Sequence, residues 1–126
     1  MPGISRETAA HREDHGPVLD SHEDIGEYTI NFITSKMDID AAPLLKGLPD
    51  DRCPCPHWGY VTTGQITFHF ADHDETFAAG DAFHVPAGHT PEIVAGTEYV
   101  QFSPAEELHR ITEVMERNAR AMMQQA

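Results

Sequence analysis

Short runs of β-branched and aromatic residues, separated by turn residues at close intervals, occupy the middle of this 126-residue chain. The breaks between the runs contain glycine, aspartate or proline, the residues that reverse a backbone or accept a positive φ. Closely spaced strands with such turns pair with their neighbours, so the pattern predicts an all-β fold, an antiparallel sandwich or barrel. The six runs read HWGYVTT, QITFHF, ETFAA, DAFHVP, EIVA and TEYVQF.

Length and charge narrow the choice of function. The chain fits one compact domain, large enough to bury a sizeable core without disulfides. It carries 8 Lys and Arg against 21 Asp and Glu, a formal charge of −13 at pH 7. This charge repels phosphate backbones and anionic headgroups, so we expect neither nucleic acid nor a membrane surface as a partner. Without a spanning run of ~20 apolar residues or a signal-type stretch at the N-terminus, the sequence predicts a soluble, cytoplasmic protein.

The two ends of the chain differ from its middle. Residues 1–26 are rich in charge and histidine and show no sustained apolar period, so we predict a loose N-terminal arm, or one that packs on a partner. From residue 27 the alternation in EYTINFITSK predicts a strand that opens a β-domain over residues 27–103.

Residues 104–126 are predicted to form a C-terminal amphipathic helix. The segment Ser103-Pro104-Ala105-Glu106 places a hydroxyl at the N-cap, proline at N1 and glutamate at N3, which is a capping box. Apolar residues then follow at helical spacing and predict one buried stripe. The stripe is Leu108, Ile111, Met115 and Met122.

Two cysteines and a histidine alternate in RCPCPHWGYVTTG. In an extended backbone, Cys53, Cys55 and His57 share one face, with Cα atoms of alternate residues about 6.5 Å apart. Pro54 and Pro56 cannot donate to a β-ladder, so this segment is expected at a sheet edge or barrel mouth. The alternative, purely structural roles are half-buried thiols or a disulfide for the two cysteines, and a hydrogen-bonded core residue for His57.

Further histidines lie in GDAFHVPAGHTP. His89 follows a Pro-x-Gly turn and is predicted to close over an ion held by Cys53, Cys55 and His57. Thiolate and imidazole donors favour zinc, with iron or nickel as alternatives. His84 lies within a strand whose facing the alternation leaves open, and it is the candidate for proton transfer.

Glycine and proline spacing connects these segments to a known family. The chain reads Gly47-x5-Cys53-x-Cys55-x-His57-x6-Gly64 and then, after fifteen residues, Gly80-x5-Pro86-x-Gly88. This scaffold, with the hairpin GYVTTGQITF and the strand pair GDAFHVPAG, resembles the two motifs of the cupin superfamily over roughly residues 27–103. The resemblance implies a small antiparallel β-barrel of jelly-roll type, often dimeric, with a metal at its open end.

The ligand positions depart from the cupin pattern. Counted from the first glycine, the two histidine positions of the family hold Cys53 and Cys55. Counted back from the last glycine, which the hairpin anchors, His57 takes the glutamate position. The histidine position of the second motif holds Pro91, with His89 nearby. The usual set of three histidines and a glutamate is therefore absent, and an atypical Cys/His site is expected in its place.

Two functions fit this sequence. The first is a metal-dependent reaction on a small molecule, since an ion with three protein ligands keeps a position open, whereas four ligands close it. The second is a non-catalytic module of the same fold that binds or senses a small molecule without metal. Whether the protein is an enzyme stays open, and the resemblance implies a homodimer.

Overall fold

Ten β-strands and one long α-helix form the protein in the computed structural model, which describes residues 3–124. Two short 3-10 helices, Ala42–Leu45 and Pro49–Asp51, connect the fourth and fifth strands. The strands are β1 (His11–Asp14), β2 (Val18–Ile25), β3 (Tyr28–Ser35), β4 (Ile39–Asp40), β5 (His57–Thr63), β6 (Gln65–His69), β7 (Asp74–Ala78), β8 (Ala82–Val85), β9 (Thr90–Ile93) and β10 (Glu98–Pro104). The helix, α1, is Ala105–Gln124.

The strands form two antiparallel sheets. The larger sheet has the order β1-β2-β3-β10-β5-β8, and the smaller one has the order β4-β9-β6-β7. Strands far apart in the chain are neighbours, since β10 lies between β3 and β5. The predicted all-β antiparallel fold with a C-terminal helix is confirmed.

The main hydrophobic core lies between the two sheets. In β6, β8 and β10, buried residues alternate with more exposed ones, which is the period expected of strands covered on one face. Both sheets supply buried side chains to one contiguous cluster. Its members are Val61, Phe83, Val85 and Tyr99 from the larger sheet and Ile66, Phe68 and Ile93 from the smaller one.

The N-terminal segment is more ordered than the sequence suggests. Instead of a loose arm, residues 11–14 and 18–25 form β1 and β2, and β2 pairs with β3 along its whole length, from Val18 opposite Ser35 to Ile25 opposite Tyr28. The reason is backbone pairing. The free N–H and C=O groups along the edge of β3 can pair with a strand of polar residues as well as with a strand of apolar ones. Residues 1 and 2 of the predicted arm lie outside the described residues.

The helix begins later than predicted. Ser103 and Pro104 are the last residues of β10, so Ser103 is not a helix cap, and α1 starts at Ala105. Acidic residues in its first turn, Glu106 and Glu107, favour the helix through its dipole. Residues 125 and 126 of the predicted helix lie outside the described residues.

The helix packs on the chain segment before β5. Ile111 is buried against Leu45, Cys53 and Cys55, with Leu108, Met115 and Leu48 at the margin of this second cluster. The side-chain amide of Asn118 donates to the carbonyls of Leu44 and Lys46 at 2.7 and 2.9 Å. Met122, predicted in the buried stripe, is instead 47% exposed, so only the first half of α1 is anchored apolarly. Among residues 3–124, no helix combines the length and the apolar character of a membrane span.

Candidate metal centre

His57 opens β5 and points into the space between the sheets. It is 5% exposed, whereas the next residue of the strand, Trp58, is 41% exposed on the opposite face. The strand β10 runs alongside, and its buried Ser103 brings a hydroxyl to 2.7 Å from His57 Nδ1. The imidazole is thereby held at one nitrogen, and Nε2 remains for another contact.

A backbone bridge joins Cys53 to His89. The amide of Cys53 donates to the carbonyl of His89, and the amide of Gly88 donates to the carbonyl of Cys53, each at 2.8 Å. Gly88 has a φ of +99°, a left-handed conformation that glycine accepts readily and that turns the chain back toward this bridge. Two residues 36 positions apart are thus fixed side by side.

Three donor atoms converge at this point. One ligand atom from each of Cys53, His57 and His89 lies within 4.8 Å of the other two, and all three residues are buried. Cys53 Sγ is 3.6 Å from His57 Nε2. The ring of His89 meets that of His57 edge-on, at a centroid distance of 5.0 Å. The structure thus brings together three of the four side chains that the sequence suggested as ligands.

Both imidazoles are oriented through their Nδ1 atoms. His89 Nδ1 lies 2.8 Å from the carbonyl of Pro86, an acceptor, so it carries the proton and donates, and Nε2 keeps a free lone pair. Ser103 can accept from His57 Nδ1 in the same way. Metal-binding histidines typically donate their other ring N–H to such an oxygen, which fixes the ring and the tautomer.

Burial keeps the group uncharged near neutral pH. It lowers the pKa of His57 to about 3, with a smaller contribution from the neighbouring His89 ring, and it lowers the pKa of His89 as well. It raises the pKa of the Cys53 thiol to about 11. A free catalytic thiolate is disfavoured at such a position. Two neutral imidazoles and a thiol whose proton a cation can displace are the form that binds a metal.

Cys55 does not belong to this group. The chain bends at Cys55, between the bridge at Cys53 and the start of β5, so the strict alternation expected from an extended segment fails there. Its side chain is fully buried in the cluster beneath α1, and its Sγ lies 3.4 Å from the carbonyl of Pro56. Burial, followed by the nearby Cys53, raises the pKa of this thiol to about 12. Both cysteines are free thiols, which excludes the disulfide alternative in this structure.

His84 lies on the other side of the larger sheet. Within β8, Phe83 and Val85 are buried and His84 is exposed, because alternate residues of a strand face opposite ways. Its ring stacks on that of Trp58 at a centroid distance of 4.8 Å. The sequence suggested His84 for proton transfer, and the structure corrects this, since His84 does not face the Cys53 group.

Polar side chains continue inward from His57 along the sheet. Ser103, Gln101 and Asn31 are buried on this face, and Gln101 is paired with Asn31 in the register of β10 and β3. Asn31 donates to Asp20 Oδ1 at 3.0 Å. Its own Oδ1 accepts no hydrogen bond from residues 3–124. A buried acceptor without a donor is costly, so the inner face of β3 at Asn31 suits a polar group that can donate.

Comparison with known proteins agrees with the fold. No family model matches the chain, and no curated protein does. Solved structures do match. A protein of unknown function from Rhizobium leguminosarum gives a TM-score of 0.59 at 15% identity, covering 82% of this chain and 95% of that one. The polyketide cyclase RemF from Streptomyces resistomycificus gives 0.59 at 11% identity, covering 82% and 79%.

A third matching structure is described as a cupin. The RmlC-like cupin from Shewanella frigidimarina gives a TM-score of 0.54 at 18% identity, covering 80% of this chain and 88% of that one. With two antiparallel sheets and the matching glycine and proline scaffold, the protein has the cupin fold. The identities are low, so the likeness extends to the fold and not to a reaction.

Proposed function

We propose that this cupin-fold protein binds one transition-metal ion, zinc, through Cys53, His57 and His89. The observation that carries the proposal is the convergence of three buried donors whose ligand atoms all lie within 4.8 Å of one another. A sulfur and two imidazoles are a donor set that zinc prefers, and iron or nickel are the alternatives.

The spacing of the donors fits a tetrahedral ion. Zinc with usual bond lengths to sulfur and nitrogen separates these two atoms by about 3.6 Å. The distance from Cys53 Sγ to His57 Nε2 is 3.6 Å. The remaining separations reach at most 4.8 Å, so a closure of at most about 1.5 Å completes the tetrahedral spacing.

Three protein ligands define what the site can do. Cys55 is not among the three converging donors, so one coordination position is left for water or a small molecule. An ion at such a position polarises a bound oxygen as a Lewis acid. Asn31 Oδ1, on the inner face of the larger sheet, accepts no hydrogen bond within the described part of the chain, and this supports a small polar ligand with a donor group. The RemF match is a polyketide cyclase, so the fold is compatible with catalysis.

Metal content and cobalt spectroscopy test the ligand set. The purified protein should hold about one equivalent of metal, and the cobalt(II) form should show a sulfur-to-cobalt charge-transfer band in the near ultraviolet. Cys53→Ser should abolish this band. Cys55→Ser is the matched control, a buried thiol two residues away, and it should retain both band and stoichiometry. Loss in Cys55→Ser with retention in Cys53→Ser would refute the assignment.

A titration with azide tests the open position. An ion with three protein ligands accepts azide, so the visible spectrum of the cobalt form should shift with saturation. A spectrum that stays constant in excess azide would indicate a closed, structural site and would remove the catalytic reading.

A further inference from the structure

A cavity lies between the N-terminal segment and the outer face of the larger sheet. Its volume is about 470 Å³, within the range of roughly 300–1,000 Å³ that small-molecule sites occupy. Ser21 and Phe32 lie opposite each other in the register of β2 and β3, and both line this cavity. Because alternate residues of a strand face opposite ways, they point away from Asn31 and the inner face of the sheet. We call this space the outer cavity.

The N-terminal segment that borders the outer cavity is held in place by hydrogen bonds. The amide of Ala9 donates to the carbonyl of Ser5 at 3.0 Å, and the amide of Ala10 donates to Glu23 Oε1 at 2.9 Å. Ala9 is 6% exposed, so this segment packs on the molecule. The floor that it faces combines apolar side chains with one buried hydroxyl, and its residues are Leu19, Ser21 and Phe32. The outer cavity is therefore formed without a ligand.

Two arginine side chains line the outer cavity. The guanidinium of Arg6 lies 5.8 Å from the centroid of the Phe32 ring, and its Nη1 is 3.4 Å from Glu98 Oε1. Arg6 Nε is buried and finds no acceptor among residues 3–124, which is costly for a donor. Arg12 Nη1 donates to the carbonyl of Glu7 at 3.4 Å, a long hydrogen bond. Each guanidinium carries several N–H donors, so both side chains keep donors for a ligand.

Acidic side chains also line the outer cavity, and most of them have other partners. They are Glu7, Glu13 and Asp14. Asp14 Oδ1 accepts from the amide of Gly16 at 2.8 Å and lies 3.6 Å from Lys36 Nζ. Glu13 Oε1 lies 3.6 Å from His22 Nε2. The two guanidinium groups are thus the charged groups of the lining with donors to spare, and they favour an anion over a cation.

We propose that the outer cavity binds a small carboxylic acid with an apolar chain. The carboxylate of this ligand lies between Arg6 and Arg12, because the planar fork of a guanidinium matches two carboxylate oxygens. Its apolar chain lies on Leu19 and Phe32. A protein of charge −13 repels anions from most of its surface, so an anion binds where basic side chains are gathered. The proposal does not depend on the metal ion.

Titration with hexanoate, followed by amide resonances in nuclear magnetic resonance spectra, tests the ligand class. Hexanoate should cause saturable shifts at residues 6–14, 19–21 and 32, which border the outer cavity. Its affinity should exceed that of 1-hexanol, hexylammonium, acetate and inorganic phosphate by about 10-fold, since each of these lacks either the carboxylate or the apolar chain. An absence of saturable shifts with hexanoate, or equal affinity for 1-hexanol or hexylammonium, would overturn the proposal.

Arginine variants locate the bound carboxylate. Arg12→Gln should weaken hexanoate binding about 10-fold, with Arg6→Gln as a second variant if the first does not fold. Arg117→Gln is the matched control, because it removes the same charge from an exposed position on α1, and it should bind hexanoate like the unmodified protein. Equal weakening in Arg117→Gln would overturn the assignment.

A metal-free sample separates this cavity from the candidate metal centre. Hexanoate should bind the zinc-loaded and the metal-free protein with equal affinity, and azide should not displace it, because the outer cavity and His57 lie on opposite faces of the larger sheet. If removal of the metal abolishes hexanoate binding, the carboxylate binds the ion and the proposal for the outer cavity is wrong. If equal affinity is found in both samples, the proposal stands whether or not the metal centre does.

Discussion

Removal of the Ser103 hydroxyl, which contacts a candidate metal ligand, tests the candidate metal centre. Ser103 is fully buried, and its Oγ is 2.7 Å from His57 Nδ1. When His57 Nε2 binds a metal, Nδ1 carries the proton and donates it to this oxygen. Ser103→Ala removes the acceptor and leaves a buried N–H unpaired, which costs about 1–3 kcal/mol. Loss of such a partner typically weakens metal binding 10- to 100-fold, or about 1.4–2.8 kcal/mol.

The assay separates metal affinity from folding stability. Zinc affinity is measured by competition with a chromophoric chelator, and stability by urea unfolding of the metal-free protein. Ser35→Ala is the matched control, because Ser35 is equally buried and its hydroxyl donates to the carbonyl of Met37 at 2.6 Å. Ser35 ends β3, at the opposite end from the residue that pairs with Ser103. It should lower stability without changing zinc affinity.

The result that would refute this reasoning is specific. If Ser103→Ala binds zinc as tightly as the unmodified protein, the hydroxyl does not orient a ligand, and His57 is a core histidine. If both serine variants lose zinc affinity to the same extent, the loss reports general destabilisation. Only a selective loss in Ser103→Ala supports the ligand role of His57.

Two further substitutions test the covering helix and the pH response. Ile111→Ala should lower the free energy of unfolding by about 2–5 kcal/mol. It should also speed modification of Cys55 by a thiol reagent, because Ile111 packs in the same buried cluster as Cys55. A loss of stability below about 1 kcal/mol would contradict that packing. Hydrogen bonds to Asp74 and, to a smaller extent, to Glu92 raise the pKa of His69 in the folded protein. The protonated His69 therefore stabilises the fold at pH values below the unfolded-state pKa of about 6.5. This contribution is lost as the pH rises through the folded-state pKa. In His69→Gln, the fall in urea midpoint from pH 6 to pH 8 should be smaller than in the unmodified protein; an identical fall would contradict this.

The strands of the β-domain were predictable because their residues and turns act locally. The run HWGYVTT coincides with β5, His57–Thr63, and the alternation after residue 27 with β3, Tyr28–Ser35. The strands β1 and β2 were not predictable in this way. All four residues of β1 are exposed, and the inward positions of β2 include Asp20 and His22, so no apolar alternation marks either strand. Their order comes from pairing with β3.

Local patterns also misassigned two side chains. A hydroxyl, a proline and a glutamate in sequence predict a helix cap at Ser103, yet the strand continues through it and His57, 46 residues away, takes its hydroxyl. The inward alternation of Tyr99, Gln101 and Ser103 was the signal that could have placed it on β10. The direction of the His84 side chain was ambiguous, because the sequence of one strand alone does not reveal which of its two faces is covered.

The ligand number depends on a contact that no local pattern contains. Spacing alone allows Cys53, Cys55, His57 and His89 to act together as a closed four-ligand site. The bridge between Cys53 and His89 fixes one thiol beside the imidazoles, while the bend of the chain at Cys55 leaves the other thiol outside the group of three donors. Both thiols pack in the same cluster as Ile111 of α1, so the bridge and the bend, and not the helix, separate them and leave three donors in the candidate centre. A three-donor centre retains the free position that binding a small molecule requires.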